Sequence, residues 1–169
     1  MVEIVLAIVV ITVLLFGGVV LFGAPYLPVL GPQARTALDL LDMQPGETLL
    51  ELGSGDGKVL LLAAQRGISV YGIELNPALV LISRWRTRKY RDLVTVRWGN
   101  FWASEWPEYD AIYIFGLEKI MKKLHTKIVQ NSKKTVRLAS VGFEVANMQP
   151  LEQKNGVFLY RIQHTKRRS

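Results

Sequence analysis

A glycine-rich loop that could hold a ligand reads Glu51-Leu52-Gly53-Ser54-Gly55-Asp56-Gly57. Glycine accepts positive φ and leaves the backbone bare, and a helix that follows such a loop offers unpaired N–H groups. A dinucleotide fingerprint would need its third glycine at position 58, where the chain has Lys58. The spacing therefore argues against a dinucleotide site.

Two further groups follow predicted strands in the same way. Glu74 ends an apolar run and offers a carboxylate, which can accept hydrogen bonds from the hydroxyls of a ribose. Asn100, Phe101 and Trp102 follow the next run, with an amide for the edge of an adenine and aromatic rings for its face. Ligands bind at the carboxyl ends of parallel strands, so the three groups predict one adenosyl-type site.

The elements that must position these groups alternate along the chain. They are predicted as helix 33–42, strand 48–52, helix 58–65, strand 69–74, helix 77–90, strand 93–98, strand 111–115, helix 118–130 and strand 135–143. Such alternation predicts an α/β fold with a parallel sheet covered by helices on both faces. Asn155-Gly156 between two short runs is a hairpin signal, so the sheet should close with an antiparallel edge.

An apolar run of 19 residues without a charge extends over 4–22. At about 1.5 Å per residue it would be roughly 28 Å long, close to the ~30 Å of a bilayer core. A cleavable signal peptide fits less well, because Glu3 stands where a basic flank is expected and the run exceeds about 15 residues. We predict a transmembrane anchor over 1–23 followed by one domain over 24–169. With the cations beginning at Arg35, the positive-inside rule predicts a single-pass protein with this domain in the cytoplasm.

The charge of the chain is uneven. Its net charge is +7, with −4 on residues 1–80 and +11 on residues 81–169, which favours anionic partners for the second half. A basic run, made of Arg84, Arg86, Arg88, Lys89 and Arg91, is either a solvated face or a contact with anionic lipid. The absence of cysteine excludes disulfides, zinc–thiolate sites and cysteine nucleophiles, and we expect no metal.

Five segments carry a resemblance to a known family: PYLP, ELGSGDGK, IELNPALVLISRWRTRK, GNFW and YDAIYIFG. Over roughly residues 24–135 the chain resembles the membrane-anchored class I methyltransferases that use S-adenosyl-L-methionine (SAM) to modify lysines of the adenine nucleotide translocase and the ATP synthase c-ring protein, together with their prokaryotic relatives. The resemblance implies a Rossmann-like sheet of seven strands, mostly parallel with an antiparallel C-terminal edge, and SAM as the cofactor.

The resemblance also implies roles for residues at matching positions. Glu51, Gly53, Ser54, Gly55 and Gly57 would cradle the methionine end, Glu74 the ribose, and Asn100 and Phe101 the adenine, with Tyr26 over the cofactor and Asp56, Leu75, Asn76 and Trp102 completing the set. The chain departs from the family pattern twice, with Asn100 in place of an expected Asp and Glu118 in place of an expected Pro.

Methyl transfer to a lysine needs a neutral amine, so a group with a pKa near 10.4 must lose its proton. Glu118 and Tyr26 are the candidates to accept it, directly or through water. The alternative for Glu118 is a solvated first-turn residue favoured by the helix dipole. The predicted acceptor is a lysine of a membrane or membrane-proximal protein.

Three other functions stay open at this point. The cationic half could serve nucleic-acid methylation, but Ile114-Phe115-Gly116-Leu117 stands where amino-methylating base enzymes carry an Asn/Asp-Pro-Pro-aromatic motif, which argues against nucleic acid as a partner. A small-molecule or lipid amine could be the acceptor instead. The domain could also be a tethered SAM-binding module without transferase activity.

Overall fold

The computed structural model describes residues 1–6, 10, 31–116 and 118–163. Most of the predicted anchor over 4–22 lies outside these residues, and Tyr26 does as well. Among the described residues, no helix combines the length and the apolar character that crossing a bilayer requires.

Four helices and seven strands make up the domain. In chain order they are α1 (Gly31–Leu41), β1 (Thr48–Leu52), α2 (Lys58–Gln65), β2 (Ser69–Glu74), α3 (Pro77–Thr87), β3 (Val94–Trp98), β4 (Ala111–Phe115), α4 (Glu118–Asn131), β5 (Val136–Val141), β6 (Glu152–Lys154) and β7 (Val157–Ile162). The bounds differ from the predicted ones mainly at two ends. The helix predicted to reach residue 90 ends at Thr87 and continues as a 3-10 turn, and the strand predicted to reach 143 stops before Gly142, whose φ is +88°.

The strands form one sheet in the order β3-β2-β1-β4-β5-β7-β6. The first five strands are parallel, and β7 runs antiparallel to both β5 and β6. The predicted seven-stranded sheet with an antiparallel C-terminal edge is therefore confirmed. The hairpin between β6 and β7 turns at Asn155 and Gly156, which both have positive φ, as a type I′ turn requires.

Two hydrophobic layers cover the faces of the sheet. Leu38, Leu60 and Val80 of the first three helices pack on one face with Leu49. On the other face, α4 packs against β1, β4 and β5 through a cluster that includes Leu50, Ile112, Leu124 and Leu138. The alternation of Leu49 and Leu50 between the layers follows from the two-residue period of a strand.

The topology brings the three predicted ligand-binding groups to one edge. Strands β1, β2 and β3 are neighbours, and their registers place Leu52 level with Ile73 and Glu74 level with Trp98. All three strands end in the same direction, so residues 53–57, Glu74 and Asn100 lie along a single rim. The chain order reverses between β1 and β4, which is where open α/β sheets bind ligands.

Candidate active site

The glycine-rich loop is wound around the end of β2. The N–H groups of Gly53 and Ser54 both donate to the Ile73 carbonyl, at 2.9 and 3.1 Å, and the Gly57 N–H donates to the Ser54 carbonyl at 3.0 Å. Gly53, Gly55 and Gly57 have φ of 78°, 53° and 79°. The loop needs this left-handed backbone three times, which explains the alternate glycines.

The glycines of this loop have different surroundings. A β-carbon on Gly53 would meet no atom within 4 Å, whereas one on Gly57 would lie 2.3 Å from the hydroxyl oxygen of Ser83 in α3. Gly53 therefore leaves open space beside a bare backbone, where a ligand could lie. Gly57 instead allows α3 to pack against the loop.

Glu74 ties the rim together through its buried carboxylate. One oxygen accepts from the Gly55 N–H and the other from the Asn76 N–H, both at 2.8 Å. Its carbonyl accepts from the Gly99 N–H at 2.9 Å, which joins the loop after β3. A carboxylate has about four acceptor positions, so Glu74 keeps capacity for the hydroxyls of a ribose.

The Glu51 carboxyl is the unusual group of the site. It is only 2% exposed, and its Oε2 has no hydrogen-bond partner among the described residues. Burial raises the pKa of Glu51 well above its usual range, and the nearby carboxylates of Glu74 and Asp56 raise it further. Three carboxyl groups thus converge under the loop, and a cationic ligand would relieve their repulsion.

Ser54 and Asp56 have their side chains directed into the protein. The Ser54 hydroxyl is buried against Gly72, so contact with a ligand would come from the Ser54 backbone. Asp56 accepts from the Lys58 N–H at 3.3 Å and forms an ion pair with Arg86 of α3 at 2.5 Å. The pair joins the loop to the helix that follows β2.

The residues after Glu74 begin α3. The Asn76 side chain caps the helix by accepting from the N–H groups of Ala78 and Leu79, and the Leu75 carbonyl accepts from the Trp98 indole at 2.9 Å. This cap places Leu75 and Asn76 on the rim beside Glu74.

The predicted adenine group folds into a compact turn. Asn100 accepts from the Trp102 N–H at 2.9 Å, and the rings of Phe101 and Trp102 lie 4.7 Å apart. Trp106 donates to the Phe101 carbonyl at 2.9 Å. The Asn100 acceptor oxygen therefore holds the turn, which leaves its amide N–H groups for the edge of an adenine.

Two lysines of α4, which no sequence motif singled out, support this turn. Lys127 donates to the Trp102 carbonyl at 2.7 Å, and burial together with nearby Lys123 lowers the pKa of Lys127. The Lys123 ammonium lies 4.5 Å from the centre of the Trp102 ring. Their spacing of four residues along a helix was the only available signal.

Glu118 lies apart from the cofactor rim, at the start of α4. It lines a cavity of about 630 Å³ together with Glu144, Phe158 and residues 142–149. Two buried hydroxyls hold this segment in place: Ser140 donates to the Phe143 carbonyl at 2.6 Å, and Tyr160 accepts from the Val145 N–H at 3.0 Å. Since β4 and β5 follow β1 in the sheet, the cavity opens at the same carboxyl edge.

Sequence patterns do not reveal the 142–149 segment, because it has neither helical nor strand periodicity. Glu118 and Glu144 give the cavity an acidic lining in a chain with a net charge of +7. The cavity is thus suited to a cationic or amine-bearing group. Within the described residues, no group of three or more His, Asp or Glu side chains is arranged to hold a metal ion.

Comparison with known proteins identifies several relatives. A profile of the family described as ANTKMT methyltransferase domain matches residues 51–152. The chain is 30% identical over 128 residues to the Xenopus laevis lysine N-methyltransferase of the ATP synthase c-ring protein, covering 75% of this chain and 56% of that protein. It is 29% identical over 131 residues to the adenine nucleotide translocase lysine N-methyltransferase of Mus musculus, again covering 75% and 56%. The chain thus spans about half the length of these two relatives.

A solved structure shares the fold. The RNA methyltransferase from Salinibacter ruber in complex with S-adenosyl-L-homocysteine superposes with a TM-score of 0.76 at 24% identity. The match covers 85% of this chain and 98% of that one. At this identity the likeness establishes the Rossmann-like architecture.

Proposed function

Because the chain belongs to the ANTKMT methyltransferase domain family, we propose that it transfers a methyl group from SAM to the side-chain amine of a protein lysine. The observation that carries the proposal is the buried Glu51 carboxylate, which lacks a partner for Oε2 on a rim built by Glu74 and Gly53. The names of the similar relatives support a protein lysine as the acceptor.

The residues present fit the cofactor. SAM supplies a methyl group on a cationic sulfonium and also carries an α-ammonium group. Glu51 offers a carboxylate that is raised in pKa for want of a counter-charge, and Gly53 offers bare backbone beside it. Glu74 would hold the ribose, and the turn of Asn100 and Phe101 the adenine.

The acceptor would enter through the cavity at Glu118. Carboxylates of Glu118 and Glu144 attract the ammonium form of lysine, and Glu118 accepts its proton as the amine approaches the rim. In the transfer, the amine nitrogen forms a bond to the methyl carbon as the sulfur–carbon bond breaks. The bonding electrons stay on sulfur, so a neutral thioether leaves. Positioning of the two partners supplies much of the acceleration.

We also propose that residues 4–22 anchor the protein in a membrane, with the domain in the cytoplasm and the acceptor in or beside the same bilayer. The support is the 19-residue uncharged run and the concentration of cations after it. Fractionation of tagged protein tests this part separately. Recovery in the soluble fraction, or release from membranes by carbonate, would contradict the anchor.

The experiment that tests the transferase activity follows the methyl group. The purified full chain in detergent is incubated with radiolabelled SAM and membranes of the source organism, and proteins, lipids and nucleic acids are then separated. Glu74→Ala serves as the variant without a cofactor site. Glu108→Gln is the matched control, because Glu108 forms only an exposed ion pair with Lys133.

We expect label on a protein band with the wild type and with Glu108→Gln, but not with Glu74→Ala. Mass spectrometry of the band should place the methyl group on a lysine. Label confined to lipid or RNA would overturn the protein acceptor, and the fold shared with an RNA methyltransferase makes RNA the arm to inspect first. SAM binding without label in any fraction would leave a tethered binding module.

A further inference from the structure

The outer face of α3 carries large apolar side chains in solvent. Leu81 and Trp85, four residues apart, are each 66% exposed, and Ile82 is 41% exposed. The opposite face of the helix, through Leu79 and Val80, is buried on the sheet. Side chains three or four residues apart share one face of a helix, so the three exposed residues form a single apolar ridge.

Exposed cations border this ridge. The Arg88 guanidinium lies 4.5 Å from the centre of the Trp85 ring, and Lys89 and Arg91 follow in the exposed turn after α3. Arg84 and Arg86 belong to the fold instead, since Arg84 donates to the Val96 carbonyl and Arg86 pairs with Asp56. The sequence could not separate these two sets of basic residues.

The neighbouring edge of the sheet continues the same character. β3 is the first strand of the sheet order, so its outer edge is unpaired within the described part of the chain. Arg97 and Trp98 are exposed on this strand, and Trp98 is 63% exposed. Between residues 77 and 98 the only acidic side chain is Asp92.

We infer that this surface, which we call the α3 face (Leu81, Ile82, Trp85, Arg88 and Lys89), docks on an anionic lipid bilayer. Tryptophan and aliphatic side chains with flanking cations are the composition that seats a helix at the headgroup level. The cations complement the negative surface of the bilayer. Exposed Leu81 and Ile82 distinguish the face from a phosphate-binding surface, which needs cations but no aliphatic ridge.

The inference does not depend on the proposed methyl transfer. It concerns a second membrane contact, separate from the predicted anchor over residues 4–22. Because Trp98 is in register with Glu74, docking of the α3 face would also bring the cofactor rim close to the lipid surface.

The test measures where the tryptophans lie. The full chain is reconstituted into vesicles of phosphatidylcholine, with or without phosphatidylglycerol, and brominated lipid is used to quench tryptophan fluorescence. The chain has four tryptophans: Trp85, Trp98, Trp102 and Trp106. Trp85→Phe removes the indole of the face, and Trp106→Phe is the matched control because Trp106 is partly buried and packs against Tyr109.

We expect strong quenching in the anionic vesicles, which falls by about half in Trp85→Phe because Trp85 and Trp98 are the two most exposed indoles. Trp106→Phe should keep the quenching. The double change Arg88→Glu and Lys89→Glu should reduce it to the level of phosphatidylcholine alone. Lys133→Glu with Lys154→Glu is its charge-matched control, since both lysines are exposed away from α3, after α4 and in the far edge strand β6.

Quenching that is the same in Trp85→Phe and wild type would overturn the inference, and so would quenching independent of phosphatidylglycerol. RNA binding lost in Arg88→Glu with Lys89→Glu, without quenching in vesicles, would assign the face to nucleic acid and also overturn it. All substituted side chains are exposed or partly exposed. Unchanged thermal melting should verify that each variant is folded.

Discussion

Gly57 and Ser83 are in such close contact that a β-carbon on Gly57 would lie 2.3 Å from the Ser83 hydroxyl oxygen and 3.0 Å from its Cα. The contact joins the glycine-rich loop to α3. The Asp56–Arg86 ion pair makes a second link between the same two elements. The loop and α3 therefore form one unit, and the two outer glycines of the loop can be separated by experiment.

Gly57→Ala and Gly53→Ala are the first prediction, as a pair with nearly equal φ. A left-handed alanine costs roughly 1–2 kcal/mol in either position. Gly57→Ala adds overpacking against Ser83, about 1–3 kcal/mol more. Urea denaturation should show the larger loss of stability for Gly57→Ala. Calorimetry on folded protein should show the larger loss of SAM affinity for Gly53→Ala.

A second variant isolates the cause of the stability loss. Ser83→Ala removes the hydroxyl that meets the added β-carbon, so Gly57→Ala with Ser83→Ala should recover part of the lost stability. Recovery should be absent when Ser83→Ala is combined with Gly53→Ala. Equal stabilities for the two glycine variants would contradict the assigned packing role.

Glu51→Gln is predicted to change the pH dependence of stability. The pKa of Glu51 is higher in the folded chain than the 4.5 of a free side chain. A raised folded pKa contributes stability fully below the unfolded pKa and loses it as the pH rises through the folded value. Glu51 should therefore destabilise the ligand-free protein more at pH 8 than at pH 5.

Thermal denaturation at these two pH values provides the measurement. Relative to wild type, Glu51→Gln should melt higher at pH 8 and nearly equally at pH 5. The same variant should bind SAM at least about tenfold more weakly, because a hydrogen bond to a charged group contributes roughly 1.5–3 kcal/mol. A melting difference that does not depend on pH would exclude a buried titrating carboxyl.

Glu74→Gln is predicted to disorder the rim. Both Glu74 oxygens accept from backbone N–H groups, of Gly55 and Asn76. An amide can replace one oxygen but opposes the other N–H with its own NH₂ group. We expect a loss of SAM affinity of tenfold or more by calorimetry, while Glu108→Gln should keep wild-type affinity. An unchanged affinity in Glu74→Gln would rule out the ribose role.

Glu118→Gln is predicted to slow transfer without affecting the cofactor. As the proton acceptor, Glu118 should contribute about 10²-fold or more to kcat. Glu144→Gln, in the same cavity, should mainly raise KM for the acceptor by weakening attraction of its ammonium group. Steady-state kinetics with the labelled acceptor distinguish the two. A kcat near wild type in Glu118→Gln would leave it as a first-turn residue of α4.

Local patterns in the sequence predicted most of the architecture. The strands over 48–52, 69–74 and 111–115 have the bounds that their apolar runs indicate, and the Asn155-Gly156 turn closes the antiparallel edge. These features depend on the backbone preferences of neighbouring residues. The order of the three ligand-binding groups followed as well, because parallel strands end at a common edge.

Other features depend on contacts between residues far apart in the chain. The sequence placed Arg84 and Arg86 in one basic run, but β3 and the glycine-rich loop engage both of them and leave Arg88 and Lys89 in solvent. The cavity at Glu118 exists because the pairing of β5 with β7 brings the Tyr160 hydroxyl to the Val145 N–H. No local pattern records such a convergence.

The sequence by itself thus determined the elements, the kind of sheet they form and the residues of the cofactor rim, since these follow from periodicity and turn chemistry over a few residues. The tertiary structure decided which of those residues hold the fold and which remain for a ligand. Glu51 shows why: its charge is unremarkable in the sequence, and only burial beside Glu74 and Asp56 raises its pKa and leaves it needing a cation.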